Sequence, residues 1–188
     1  MIAFLDFEAS SLSDRSYPIE IGWVFEDGGS ESHLIRPAPR WDDWDPAAEA
    51  LHGISRAKLL TDGEHHEAVA RRMVEALADH DLYASAPSWD GKWLSTLLRT
   101  ARLPRHALRL RGTSALLEET ARRVLAPVLP GATLGQAVED LLAQTDVREQ
   151  ESAPAHRALA DAKDERRRWL NVREAALAAV RALDGRTM

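Results

Sequence analysis

The chain has 188 residues, with 45% hydrophobic and 29% charged, the balance of one folded domain with a real core rather than a disordered or membrane chain. No apolar run approaches the roughly 18 residues that cross a bilayer, and the absence of cysteine removes disulfides, thiolate zinc sites and any Cys nucleophile. A net charge of −6 argues against coating long duplex nucleic acid through a broad basic face.

The N-terminus has no basic segment ahead of an apolar one and carries Asp6 and Glu8 where a signal peptide would be apolar, so the cytoplasm is the expected location. Ile2, Phe4, Leu5 and Phe7 give a short, aromatic-rich run that predicts a buried central strand. Successive strand side chains alternate between faces, so Asp6 and Glu8 share one and stand side by side. Buried carboxylates are costly alone, and a divalent cation with oxygen ligands offsets that cost. The pair is weak evidence by itself. Among 30 acidic residues an Asp-x-Glu recurs by chance about once, and Asp62-Gly63-Glu64 is read as such a loop coincidence.

Ala9 to Ser16 is small and turn-like. Ile19 to Phe25 predicts a second strand closed by Glu26-Asp27-Gly28-Gly29, and Glu31 to Arg36 a third, forming an antiparallel meander. The acids of Trp41-Asp42-Asp43-Trp44-Asp45-Pro46 are read as a packed loop in which Asp45 caps a helix starting at Pro46, rather than as a second metal site. Ser55 is a candidate cap for a short helix. Val69, Met73 and Leu77 set a helical period from about Glu64 to Asp79. Leu82 to Ser85 predicts a fourth strand, Asp90 to about Ala101 a helix, and Ala107 to Leu110 a fifth strand. Helices follow over roughly Ser114 to Leu125 and Leu134 to Gln144, then a polar loop over Asp146 to Pro154. The last helix runs from about Ala158 past Leu177, with Asp184-Gly185-Arg186 fraying.

His156 and Asp161 are five apart, about 140° on a regular helix, so they converge only if His156 lies on the lead-in and Asp161 on the first turns. Ala158, Ala160 and Ala162 leave room beside them. Phe4-Leu5-Asp6-Phe7-Glu8 on a first strand, Ser88-Trp89-Asp90 opening a helix, and His156 followed by Asp161 on a last helix resemble the DEDDh (DnaQ-like) 3′→5′ exonucleases. Ile19 to Gly22 and His52-Gly53-Ile54-Ser55 are similar to that family's second strand and later loop. The resemblance implies a ribonuclease H-like α/β fold, with a mixed five-stranded sheet flanked by helices in one exonuclease-like domain.

It also implies hydrolysis of single-stranded DNA or RNA, or short oligonucleotides, to nucleoside 5′-monophosphates with two Mg²⁺ or Mn²⁺ ions, without a membrane and with a homodimer allowed. Asp6 would bridge both ions, Glu8 and Asp161 complete one site, Asp90 hold the second, and His156 act as general base. Ala9, Ser10, Leu12, His52 and Trp89 fall at substrate-contact positions, against packing roles for Leu12 and His52. Two departures, Ala9-Ser10-Ser11-Leu12 after Glu8 and Ala86 where relatives often carry Asn, leave open a catalytically weak nucleic-acid-binding or regulatory module. Glu20 is read as a structural acid, and His65, His66, His80 and Arg166 to Arg168 as solvated helix surface. Arg105, Arg109 and Arg111 are secondary phosphate candidates.

Overall fold

The computed structural model describes residues 1–149 and 156–184. Strands β1 (Ile2–Ala9), β2 (Pro18–Phe25) and β3 (Ser30–Arg36) form the expected antiparallel meander. Helices α1 (Pro46–His52) and α2 (Arg56–Asp62) lead to β4 (Glu64–His65) and α3 (His66–Leu77). Then come β5 (Asp81–Ala84), α4 (Pro87–Thr100), β6 (Leu110–Gly112), α5 (Thr113–Leu125), α6 (Gly131–Glu149) and α7 (Ala158–Asp184). The sheet order is β4-β3-β2-β1-β5-β6, with β5 parallel to β1 and β6 parallel to β5, so the sheet is mixed and β1 lies inside it.

Being interior, β1 buries side chains on both faces. Ala3, Leu5, Phe7 and Ala9 join the core formed with Met73 and Leu77 of α3 and Leu94 and Leu97 of α4. On the opposite face Phe4 joins Leu116 and Leu117 of α5 and Trp169, Val172 and Ala176 of α7. Asp6 and Glu8 continue the Phe4 face, where the register sets Asp6 opposite Gly22 and Glu8 opposite Glu20.

The sheet has six strands where the sequence reading expects five. The extra one, β4, is two residues long and pairs with β3 at Ile35 and Arg36, too short to carry a period of two. It takes Glu64 out of the expected helix, which begins at His66. The last strand falls at Leu110–Gly112 rather than from Ala107, because Ala107 N–H closes a turn onto the Pro104 carbonyl. Helix α4 starts three residues before Asp90, with Pro87 in the first turn where a missing N–H is harmless. Helix α6 continues through Asp146 to Glu149, so that part of the expected loop is helical; its remainder and Gly185-Arg186 lie outside the described residues. Asp45 does cap α1, accepting from Ala47 N–H at 2.9 Å, and Ser55 caps α2.

Candidate active site

Three acids converge where α7 crosses β1. Carboxylate oxygens of Asp6, Glu8 and Asp161 lie within 4.8 Å of one another, each residue half-buried. The approach depends on Gly22. A Cβ there would sit 2.3 Å from Leu159 N and 2.4 Å from Leu159 Cα, so the helix backbone rests directly on β2 opposite Asp6. Any larger residue would lift α7 away from the strand.

Glu20 fastens the same helix end. It is 3% exposed and accepts from Arg157 Nε at 3.0 Å, Arg157 Nη2 at 2.6 Å and Ala158 N–H at 3.0 Å. The two-pronged guanidinium contact fixes orientation as well as distance. The Ala158 bond satisfies one of the N–H groups that a helix start leaves open. Glu20 is thus the structural acid expected of it, and what it holds is the segment carrying His156 and Asp161. His156, at φ 49°, takes the left-handed backbone that a non-glycine residue rarely adopts, turning the chain into α7.

Asp90 approaches from the other side. It is 1% exposed, and its Oδ1 accepts from Phe7 N–H at 3.3 Å between the two acids of β1. Its Oδ2 is enclosed and has no hydrogen-bond partner among the described residues.

The electrostatics follow from crowding acids in a partly dry place. Asp6 is pushed up to about 9, first by burial and then by Asp90, Glu8, Asp161 and Glu165. Glu8 is raised to about 7 by burial and by Asp161 and Glu20, with Arg157 opposing. Burial also raises Asp90 to about 7, against the stabilising Phe7 N–H. Such a set binds protons when metal-free, and its oxygen-only donors could hold a hard divalent cation.

The positions read as substrate contacts divide. Ala9 and Ser10 are buried; Ser10 Oγ accepts from Tyr17 N–H at 3.1 Å and donates to Asp43 at 3.4 Å. Leu12 is 71% exposed, which removes its core-packing alternative, and Trp89 is 37% exposed. Lys92 ties the Trp89 ring to the residue after Leu12: its Nζ lies 4.9 Å from the Trp89 ring centroid and donates to the Ser13 carbonyl at 2.6 Å. His52 is buried, with Nδ1 accepting from Ile54 N–H at 3.1 Å. Burial lowers its pKa, with Glu49 and Glu20 opposing and the charges of Arg157 and His156 adding to the depression.

Several residues read as bland are bland for identifiable reasons. Asp43 receives the hydroxyls of Ser10, Ser11 and Ser13, which hold its carboxyl below the usual range and tie the β1–β2 loop to the segment before α1. Arg166 donates to the Glu26 carbonyl, while Arg167 and Arg168 pair with Asp164 and Asp146. Arg105 and Arg109 are exposed, and Arg111 lies over the Tyr83 ring on the β6 edge. His66, expected on a solvated surface, is instead buried against Trp41 and His65. The sequence reading passes over Glu165, whose charge reaches both Asp6 and Asp90.

No family model matches the sequence, and no curated protein matches it. Solved structures do. Exonuclease I, in the structure that suggests how processivity is achieved, superposes with TM-score 0.63 at 19% identity, over 94% of this chain and 42% of that one. Escherichia coli exonuclease I in complex with a dA16 oligonucleotide gives 0.62 at 19%, over 94% and 42%. The zinc-bound form of the E. coli exonuclease I complex with single-stranded DNA gives 0.60 at 19%, over 96% and 40%. The chain therefore spans about two fifths of those proteins, and what it shares with them at this identity is the fold: a mixed sheet between helices, ribonuclease H-like in architecture.

Proposed function

We propose that the chain is a DEDDh-type 3′→5′ exonuclease that removes nucleoside 5′-monophosphates from single-stranded nucleic acid or short oligonucleotides. The observation that carries this reading is the meeting of Asp6, Glu8 and Asp161 at the crossing of β1 and α7, with the enclosed Oδ2 of Asp90 beside them. Burial first, and then repulsion from the neighbouring carboxylates, drives Asp6 to about 9; a divalent cation offsets both, so the donor set fits such a metal. Asp6, Glu8, Asp90 and Asp161 would hold Mg²⁺ or Mn²⁺. Bound there, two cations would neutralise charge on the phosphate and on the leaving oxygen.

The protein's own groups supply the rest. His156, on the lead-in to α7, takes the proton of the attacking water on a ring nitrogen. Glu20 and Arg157 hold that lead-in at its angle to β2. Leu12 and Trp89, exposed on either side of the Lys92 contact, offer apolar surface on which the terminal bases rest. The fold shared with exonuclease I bound to single-stranded oligonucleotides supports this choice of substrate.

The test is a product ladder. Purified protein with Mn²⁺ is given single-stranded DNA or RNA labelled at either end. A 5′ label should shorten stepwise, while a 3′ label appears at once as mononucleotide. His156→Ala should lose about 10²–10⁴-fold in turnover and still bind oligonucleotide. An absence of turnover on every substrate would overturn the reading in favour of a binding or regulatory module.

A further inference from the structure

Helix α7 lays one line of residues on the sheet. Ala158, Ala162, Trp169, Val172 and Ala176 are buried, and their alternating spacing of four and three passes through Glu165. Every other member of that line is apolar. The direction of the helix fixes what Glu165 faces. Asp161 meets Asp6 and Glu8, and two turns later Trp169 packs on Phe4 with ring centroids 5.8 Å apart. Helix α7 therefore runs back along the face of β1 that carries Glu8, Asp6 and Phe4, and Glu165, one turn from both Asp161 and Trp169, falls over Asp6. One of its carboxylate oxygens is closed to solvent, and its charge acts on Asp6 and on Asp90.

A second, separate observation points the same way. Asp90 is 1% exposed, and while its Oδ1 is taken by Phe7 N–H, its enclosed Oδ2 has no hydrogen-bond partner among the described residues. An ionised oxygen in that setting is stabilised by a cation in the adjoining space. We propose that Glu165 is a fifth carboxylate of the metal site, joining Asp6 and Asp90 around one divalent cation while Asp6, Glu8 and Asp161 hold another. This rests on the two-cation reading above and adds a ligand to it. It explains why an acid stands in an otherwise apolar line, and it gives the Asp90 side a second anionic donor.

The experiment counts ions rather than turnover. Mn²⁺ is titrated calorimetrically into the metal-free full chain, wild type and Glu165→Gln, with Glu165→Asp as a second variant. Wild type should take two ions. Glu165→Gln should keep one and weaken the other by about 10–100-fold, and Glu165→Asp, which keeps the charge with a shorter reach, should fall between. Metal-free Glu165→Gln should melt no lower than wild type, because it relieves repulsion. If it does not fold, Glu165→Asp alone decides: unchanged affinity for both ions overturns the proposal and a weakened second ion upholds it. The proposal is also overturned if Glu165→Gln binds two ions as wild type does, or if wild type binds fewer than two. Two ions in wild type, one lost in Glu165→Gln and no cleavage of any oligonucleotide would sink the exonuclease reading and leave the Glu165 site standing. Cleavage by wild type with identical titrations would do the reverse.

Discussion

The two faces of β1 are built from alternating residues of one eight-residue strand, yet they face different problems. On one face Ala3, Leu5, Phe7 and Ala9 are all buried among apolar groups. On the other, Phe4 is packed under Trp169, but Asp6 and Glu8 place carboxyl groups in a half-buried place beneath α7. The first face contributes stability through burial, and the second gives some of it up through repulsion and desolvation. A strand inside the sheet can carry both because its neighbours fix its backbone whatever its side chains do.

Single substitutions at adjacent positions should expose that contrast most strongly. Asp6→Asn should reduce turnover by about 10³-fold or more, the equivalent of several kcal/mol of transition-state charge stabilisation, while raising the melting temperature of the metal-free protein. Leu5→Ala should lower stability by about 2–5 kcal/mol and leave the acid site's ion count unchanged in the folded fraction. Melting curves in chelator, together with the ladder assay, check both. If Asp6→Asn melts below wild type in chelator, the repulsion on that face is not what the burial of its acids implies.

A smaller effect is expected at the fastening of α7. Arg157→Ala leaves Glu20 buried with only Ala158 N–H, and should cost about 2 kcal/mol, the value of hydrogen bonds to a charged group. Turnover should fall as well, whereas Arg157→Lys, which keeps charge but not the two-pronged contact, should recover stability better than turnover. Equal recovery of both would argue that Arg157 acts only through charge.

The subtlest signature is in pH. Acids whose pKa is raised on folding bind protons more tightly in the folded state than in the unfolded one. Their contribution to stability is full below about pH 4 and is lost as pH rises through about 7 for Glu8 and Asp90 and about 9 for Asp6. Metal-free protein should therefore melt roughly a few degrees lower at alkaline than at mildly acidic pH. Saturating Mn²⁺ should flatten that slope, and Asp6→Asn should remove its upper part. A metal-free protein equally stable across that range would contradict the raised values.

Much of this was legible in the chain because it is carried by short periods. Alternation alone puts Asp6 and Glu8 on one face, and the Asp45-Pro46 pair marks its own helix start. The meander and the helical stretch around Val69 and Met73 follow from runs long enough to repeat. Glu165 was hidden because Asp164-Glu165-Arg166-Arg167-Arg168 reads as a charged surface run. The signal that finds it is the line from Ala162 to Trp169, in which it occupies an inward position. His66 was missed for a related reason: at the first position of α3 it precedes the helical period, and Trp41 and His65 pack against it from outside the helix. Strand β4 and the shift of β6 depend on pairing with strands far along the chain, which local composition does not encode.

The clamp between Glu20 and the start of α7 joins groups 138 residues apart. Closing a loop of that length is entropically slow, so the order of assembly during folding matters. As the ribosome extends the chain, the meander of β1 to β3 can pair while α7 is still unmade, and in that interval Phe4 and Val24 lack the cover that Trp169 and Val172 later give them. The carboxylates of β1 meet those of α7 only in the final docking step. On the proposed reading of the acid site, cation binding would therefore require α7 to be docked on the meander and would report that docking.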